Sequence, residues 1–517
     1  MLALFGIGRR ALWAAAPMAL LWPHGSAHAA FDLETLASRA RALAAAPWRA
    51  PPPAIDARAA ALSYDEYRDI RFRTEASWWR DAGLPYELQF FSVGRRFTHA
   101  VRLQEIVDGQ ERPLVLPPSA FNYGRAAPAF AAATTAQAAG FRIHTALNRK
   151  DYKDEVIVFL GASYFRAVGS GQHYGLSARA LAVDTAGGAG PEEFPSFTAF
   201  WLERPAKDAR SLTLYALLEG PRVTGAYRFE LRPGTTTEVD VQARVFLRVG
   251  AQPPVTTLGI APLTTMFLGG ENQPHRLEGD PDFRPEVHDS DGLQIESADG
   301  EWLWRPLINP RHAFVTSFQM PRGVRGFGLM QRDRRFTSYE DPEARYDQRP
   351  SVWIVPRGDW GAGRVELLQF DTPDETNDNI AAYWVPAVYP KPGEPLAFAY
   401  TMRWQGDDLQ RPPGAWVEQS RVGRSYEQPA PGEVQFNIDF AGPALAGEAP
   451  PEPVVNPGDN ARVRVATVHP LPGEPTRWRL TLKIQRLDAS KPTELRAFLR
   501  RGPDTLSETW TYAMPPR

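Results

Sequence analysis

Short runs of alternating apolar and polar residues, interrupted by proline and glycine, constrain the fold of this chain more than any other feature. The clearest run covers residues 237–248, and its apolar side chains fall on one face of an extended strand: Val239, Val241, Ala243, Val245 and Leu247. A second run precedes it across Pro233 and Gly234, which predicts a β-hairpin. Because 49 prolines and 41 glycines interrupt many such runs, we predict an all-β protein built on a large β-sandwich.

Chain length and one proline-rich break predict two folded units. At 517 residues the chain is too long for one ordinary domain. A helix is predicted at residues 31–46, and the break lies at residues 386–395. We predict a large N-terminal β-sandwich domain over residues 30–388. The remaining residues, 389–517, suit a smaller immunoglobulin-like β-sandwich, which takes about 100 residues.

Residues 1–29 have the features of an export signal. Arg9 and Arg10 precede an apolar run at residues 11–22, and residues 27–29 form an Ala-x-Ala cleavage pattern. The apolar run is too short to cross a bilayer, which takes about 20 residues. The paired arginines favour the twin-arginine route over the general route, and an ordinary apolar N-terminal helix is the alternative interpretation. We therefore predict a periplasmic protein.

Charge and cysteine content exclude several classes of function. The net charge is −2, from 58 basic and 60 acidic residues, whereas nucleic-acid binding needs a basic excess. We therefore expect no nucleic-acid partner. The chain has no cysteine, which excludes disulfides, thiolate zinc sites and a cysteine nucleophile. Since no sequence feature requires a metal or another cofactor, we expect none.

Two acidic clusters in predicted loops are candidate sites for chemistry. They cover residues 283–292, which end in HDSDG, and residues 372–379, which end in ETNDN. Their acidic and histidine side chains are Glu286, His288, Asp289, Asp291, Asp374, Glu375 and Asp378. Glycoside hydrolysis needs one carboxylic acid to protonate the leaving oxygen and one carboxylate to activate water. Two other interpretations stay open, namely side chains that cap turns and acidic ligands of a metal ion.

Aromatic residues and a glycine-rich loop supply candidate sugar contacts. The chain has 15 tryptophans, and such rings either pack against sugars or fill a sandwich core. Among the tryptophans, Trp353 and Trp384 are the better candidates for substrate binding. The glycine-rich loop at residues 161–175 adds Tyr164 and Arg166, and it lacks the lysine of a phosphate-binding loop. A purely structural loop is the alternative there.

Several short motifs follow one another along the chain. They are LSYDEYRDIRF at residues 62–72, QFF at 89–91, FNYG at 121–124, FLGASYFR at 159–166, HDSDG at 288–292, GEWLWRP at 300–306, GFGLMQR at 326–332, YDQRP at 346–350 and ETNDN at 375–379. This series resembles the periplasmic glucan biosynthesis proteins of the OpgG/OpgD family, also named MdoG/MdoD. The resemblance begins near residue 31 and is densest over residues 280–386. The twin-arginine-like leader is more similar to the OpgD branch.

This resemblance implies a fold and an activity. The implied fold is a large N-terminal sandwich like that of galactose mutarotase, followed by an immunoglobulin-like domain. The implied substrate is β-1,2-glucan, used during osmoregulated periplasmic glucan biosynthesis. The implied reaction is inverting hydrolysis, or transglycosylation that cyclises the glucan through an α-1,6 link. A membrane glucan synthase is the implied functional partner, and a homodimer is one option left open.

The resemblance also implies roles for individual residues. The general acid of the family matches Asp378, and the base is an aspartate of HDSDG, for which we favour Asp291 over Asp289. The residues expected to bind substrate are Tyr164, Arg166, His288, Tyr346, Arg349, Trp353, Glu375 and Trp384. The rival class of function is a non-catalytic glucan-binding or assembly factor, which needs no opposed pair of carboxyl groups. A mutarotase-like epimerase is a third interpretation, based on fold analogy alone.

Overall fold

The computed structural model describes residues 30–188, 190–273, 282–406, 410–423, 430–447 and 449–516. The predicted export signal lies outside these residues. Within the described ranges there are five short α-helices: α1 (Leu33–Ala45), α2 (Ala57–Ala60), α3 (Tyr64–Arg68), α4 (Ala127–Phe130) and α5 (Phe336–Tyr339). Single 3₁₀ turns occur at Thr74–Ala76, Pro118–Ala120, Gly124–Ala126, Tyr346–Gln348 and Pro443–Leu445.

The strands of the described residues carry most of the fold. In chain order they are β1 (Arg71–Phe72), β2 (Tyr86–Ser92), β3 (Arg102–Val107), β4 (Gln110–Pro113), β5 (Phe121–Asn122), β6 (Ala138–Thr145), β7 (Asp154–Leu160), β8 (Tyr164–Ala167), β9 (Ser177–Arg179), β10 (Leu181–Val183), β11 (Ser196–Glu203), β12 (Leu212–Glu219), β13 (Val223–Arg232), β14 (Thr237–Leu247), β15 (Leu258–Thr265), β16 (Phe267–Gly269) and β17 (Val287–His288). They continue with β18 (Gly292–Ser297), β19 (Trp302–Pro306), β20 (Phe314–Met320), β21 (Val324–Met330), β22 (Ser351–Arg357), β23 (Gly363–Gln369), β24 (Ile380–Pro386), β25 (Pro395–Gln405), β26 (Trp416–Gly423), β27 (Glu433–Ala441), β28 (Glu452–Asn456), β29 (Ala461–Pro470), β30 (Arg477–Arg486), β31 (Thr493–Arg501), β32 (Asp504–Thr505) and β33 (Thr509–Met514).

Two large, mainly antiparallel sheets share one hydrophobic core, which confirms the predicted all-β sandwich. One sheet has the order β2-β6-β7-β8-β9-β15-β24-β23-β20, and β10 adds to β15. The other runs through β18, β21, β22, β25, β14, β13, β12, β11 and β3 to β4. Phe159 on β7 packs edge-on against Phe229 on β13, with ring centroids 5.4 Å apart, so side chains of the two sheets interlock.

The predicted hairpin and helix are both present. Strands β13 and β14 pair antiparallel, and four of the five residues predicted on the inward face of β14 are fully buried, whereas Leu247 is partly buried. Helix α1 begins where the Asp32 carboxylate accepts the Thr35 N–H at 2.7 Å. Its apolar face packs on β13 and β14, from the side opposite the sandwich core.

The C-terminal strands are joined to the large sheet. Strand β33 pairs in parallel with β19 and so extends this sheet through β31 to β28. A four-stranded sheet, β26-β27-β30-β29, packs against this extension, where Phe436 meets Trp510 at 5.3 Å. Strand β25 pairs with β14 and β22, so the predicted boundary at residues 388/389 precedes a strand of the large sheet. The immunoglobulin-like assignment of the C-terminal unit stays a prediction.

Candidate active site

A polar cleft of about 690 Å³ opens at one end of the strands around β8, β9, β15 and β24. Its lining includes strand β8, the HDSDG turn before β18 and the ETNDN loop between β23 and β24. The residues of the sequence prediction that line this cleft are Tyr164, Arg166, Asp289, Arg349, Glu375 and Asp378. The fold therefore brings together residues that are more than 200 positions apart in the chain.

Asp378 stands on the cleft surface at the end of the ETNDN loop. The next residue, Asn379, is fully buried and fixes this loop. Its Oδ1 accepts the Phe267 N–H at 2.8 Å, and its Nδ2 donates to the carbonyls of Phe267 and Phe370 at 3.0 and 2.9 Å. The side chain of Asp378 is exposed to the cleft, and the cleft walls exclude part of the water that its carboxyl would have in bulk solvent. This desolvation raises the pKa of Asp378, and the charge of Arg166 and a hydrogen bond from Thr264 only partly oppose the rise.

Asp289 faces the same cleft from the HDSDG turn. It is only 5% exposed, and its backbone N–H donates to the Met266 carbonyl at 3.0 Å. Its carboxylate is paired with the Arg349 guanidinium. Burial raises the pKa of Asp289, the charge of Arg349 opposes this, and the charge of Asp378 raises it further. The two carboxyl groups are thus electrostatically coupled, as in sites where one group is protonated and the other ionised.

Arg349 and Glu375 are held in place by Tyr346. The Arg349 guanidinium lies 4.1 Å from the centroid of the Tyr346 ring and donates to the Ala344 carbonyl at 3.2 and 3.1 Å. The Tyr346 hydroxyl donates to Glu375 at 3.0 Å, and Glu375 also pairs with Arg284. Tyr346 itself is only 2% exposed, so it supports the cleft from beneath instead of lining it as predicted.

Strand β8 forms the opposite wall of the cleft, because successive side chains of a strand point to opposite faces of the sheet. Tyr164 and Arg166 face the cleft, whereas Phe165 and Ala167 point into the sandwich core. Tyr174 lies beside them, with its ring 5.8 Å from the Arg166 guanidinium. A cleft lined by phenol rings, arginines and carboxylates suits a polyhydroxylated ligand, because rings pack on sugar faces while charged groups bind hydroxyls.

Asp291 and His288 do not line the cleft. The Asp291 carboxylate accepts the backbone N–H groups of Arg332 and Asp333 at 2.9 and 3.0 Å, in a second cavity behind the HDSDG turn. His288 is fully buried between Gln331 and Glu286, at 2.9 and 3.1 Å. Of the two aspartates predicted as the base, Asp289 shares the cleft with Asp378, whereas Asp291, which the sequence analysis favoured, lines the second cavity. His288 likewise has no surface that a substrate could contact.

Trp353 and Trp384 are core residues, not sugar contacts. They are 1% and 0% exposed, and neither lines the cleft. Glycines on the neighbouring strands make room for them: a Cβ atom at Gly326 would lie 2.3 Å from the Trp353 ring, and one at Gly363 would lie 2.4 Å from the Trp384 ring. Close packing against glycine backbone explains both positions, and it corrects the predicted binding role.

The sequence analysis missed several residues that line the cleft or support its wall. Met266 lies just beyond β15, and Thr264 within β15 bonds to Asp378. Arg179 on β9 places its guanidinium 5.5 Å from the Tyr164 ring. Strand β15 is fully buried, so its sequence looks like core. The only sequence signal of a polar role for this strand was the pair of threonines that ends its apolar run.

Comparison with known proteins gives one consistent result. The family model described as periplasmic glucan biosynthesis protein, MdoG, matches residues 31–514. Glucans biosynthesis protein G of Ralstonia nicotianae is 49% identical over 497 residues, which cover 94% of this chain and 96% of that protein. Glucans biosynthesis protein G of Pseudomonas aeruginosa is 45% identical over 498 residues, covering 94% and 93%. No helix among the described residues is long and apolar enough to cross a membrane.

Proposed function

The chain belongs to the family of periplasmic glucan biosynthesis proteins described as MdoG, and on that premise we propose that its cleft cleaves or rearranges β-1,2-glucan. The observation that carries this proposal is the pairing of Asp378 with Asp289. Both carboxyl groups face one cleft, and burial raises the pKa of each. A protein that only binds glucan has no need for two coupled carboxyl groups.

The proposed roles follow from the surroundings of each carboxyl group. Asp378 has only a weak hydrogen bond, at 3.4 Å from Thr264, so its raised pKa lets it hold a proton for the glycosidic oxygen. Asp289 is paired with Arg349, which favours the ionised form needed by a general base. Asp289 takes a proton from the attacking hydroxyl, directly or through an intervening hydroxyl or water, and the anomeric configuration inverts.

The choice between hydrolysis and transglycosylation depends on the nucleophile. A water molecule at the anomeric carbon gives shorter glucans, and a sugar hydroxyl held by the cleft gives a cyclised product. Tyr164, Tyr174 and Arg166 form the wall against which such an acceptor sugar packs. In this proposal the protein acts in the periplasm on chains supplied by a membrane glucan synthase.

The decisive test is incubation of the mature protein with linear β-1,2-glucan, followed by mass spectrometry and NMR. Asp378→Asn is compared with Asp504→Asn, which makes the same charge change at an exposed site in β32. If the reaction is hydrolysis, we expect shorter reducing glucans. If it is cyclising transglycosylation, we expect products lighter by one water than a linear glucan of the same length, with a new α-linked anomeric NMR signal. Either product should come from the wild type and Asp504→Asn, and not from Asp378→Asn. Intact substrate under conditions where binding is measurable would reject the enzyme and leave a glucan-binding factor. Equal turnover by Asp378→Asn would reject the assigned acid.

A further inference from the structure

A second, smaller cavity lies behind the HDSDG turn, where the large sandwich meets the C-terminal strands. It measures about 30 Å³, which is the space of a single ion or water molecule. Five carboxylates line it, namely Glu271, Glu286, Asp291, Asp333 and Glu418, and the last of these pairs with Arg477. Oxygen atoms of three of them, Glu271, Glu286 and Asp333, all lie within 4.8 Å of one another.

In each of three of these carboxylates, one oxygen accepts a hydrogen bond and the other oxygen has no donor. Glu271 Oε1 accepts the Ser420 N–H at 2.6 Å, and Asp291 Oδ2 accepts two backbone N–H groups. The remaining oxygens, Glu271 Oε2, Asp291 Oδ1 and Asp333 Oδ2, are buried and accept no hydrogen bond from the described residues. Buried carboxylate oxygens without donors are costly, so such a cluster needs a compensating positive charge.

The nearby cationic side chains supply only part of this charge. Arg332 turns away from the cavity and pairs with Glu508 at 2.6 and 3.0 Å, over the Trp304 ring. Arg421 approaches Glu271 Oε2 only to 3.9 Å, beyond hydrogen-bonding distance. His288 is placed between Glu286 and Gln331.

We propose that Glu271, Glu286 and Asp333 bind one hard divalent cation, of the calcium or magnesium class, in the cavity that Asp291 also lines. The donors are all oxygens, which these ions prefer over nitrogen and sulfur ligands. A bound ion would join the HDSDG turn, the segment that carries Asp333, and the β26 strand through Ser420. The ion thus fastens the turn that presents Asp289 to the cleft without entering the cleft. This proposal does not rest on the reaction proposed above.

The test uses mature, EDTA-treated, dialysed protein and a terbium titration. Trp304 lines the same cavity, so it sensitises Tb³⁺ luminescence, and Ca²⁺ or Mg²⁺ competes for the site. We expect saturable binding and a melting temperature that rises by about 2–5 °C at roughly 100 times the dissociation constant. Glu271→Gln and Asp333→Asn, which preserve shape, should each weaken binding about tenfold or more. Asp504→Asn, an exposed carboxylate away from the cavity, should bind as the wild type does.

The possible results either support the metal site or overturn it. Competition by Ca²⁺, Mg²⁺ or both, lost in the two cavity variants, supports the site and identifies the ion. No luminescence and no thermal response in the wild type would overturn the proposal, even if the variants fail to fold. Wild-type affinity in both cavity variants, with circular dichroism confirming their fold, would also overturn it.

Discussion

Arg349 donates to the Asp289 carboxylate, and its positive charge acts on both acidic groups of the cleft. Its charge lowers the pKa of Asp289 and also that of Asp378, against the larger effect of burial. Replacing Arg349 by methionine removes the charge but keeps much of the side-chain volume. Both pKa values then rise, so the base needs a higher pH to ionise and the acid stays protonated to a higher pH. We expect the whole pH–activity profile to move upward, and kcat/KM at neutral pH to fall by about 10–100-fold.

Measured pH profiles of glucan turnover check this expectation. Arg322→Met is the matched control, because Arg322 is an exposed arginine paired with Asp299 outside the cleft. If kcat/KM falls but the pH–activity profile stays in the same pH range, Arg349 acts through the packing of its side chain and not through its charge.

Asn379 is expected to control activity without touching the substrate. Its side chain makes the three hydrogen bonds that fix the end of the ETNDN loop, and it is fully buried. In Asn379→Ala these backbone groups lose their partner, which costs about 1–3 kcal/mol of stability. Since Asp378 is the adjacent residue, we expect kcat to fall by about tenfold or more, with a smaller change in KM. Steady-state kinetics and thermal unfolding test both parts, and a variant with lowered stability but unchanged kcat would contradict the positioning role.

The corrected placement of the aromatic residues gives a contrasting pair of variants. Trp384→Ala leaves a cavity in the sandwich core, so we expect a loss of about 3–5 kcal/mol in unfolding free energy and an unchanged KM in the folded protein. Tyr164→Ala removes a ring from the cleft wall, so KM should rise severalfold with little loss of stability. Denaturant unfolding and kinetics measure the two effects. A raised KM in Trp384→Ala would restore the original assignment of this residue to substrate binding.

Local patterns in the sequence predicted the elements that depend on local forces. Alternation identified β14, and apolar spacing identified α1, because each pattern records one buried face. The pairing of β25 with β14 joins residues such as Val241 and Tyr400, and nothing in either strand specifies the partner. The boundary placed before β25 followed a proline-rich stretch, which marks a loop but not the end of a sheet.

Local sequence patterns also could not predict which individual side chains share the candidate site. Asp289 and Asp291 are two positions apart, and regular alternation would direct them to one face. The chain instead leaves β17 after His288, and Asp291 is drawn to Met330 through its backbone N–H at 2.9 Å. The two carboxyl groups consequently enter different cavities. Only the path of the turn, set by distant strands, distinguishes them.

The raised pKa of Asp378 makes a prediction about stability as well as catalysis. An unfolded aspartate has a pKa of about 3.9, and burial raises that of Asp378 in the folded protein. The folded state therefore binds the proton more tightly, so the stabilisation from protonation is complete below the unfolded pKa. This stabilisation is lost as the pH rises through the folded pKa. Asparagine cannot ionise, so Asp378→Asn should have the higher melting temperature at pH 7, and this advantage should shrink toward pH 3. Thermal unfolding of both proteins across this range measures the difference. If the aspartate is instead the more stable form at pH 7, Asp378 is ionised there and the assignment of the general acid fails.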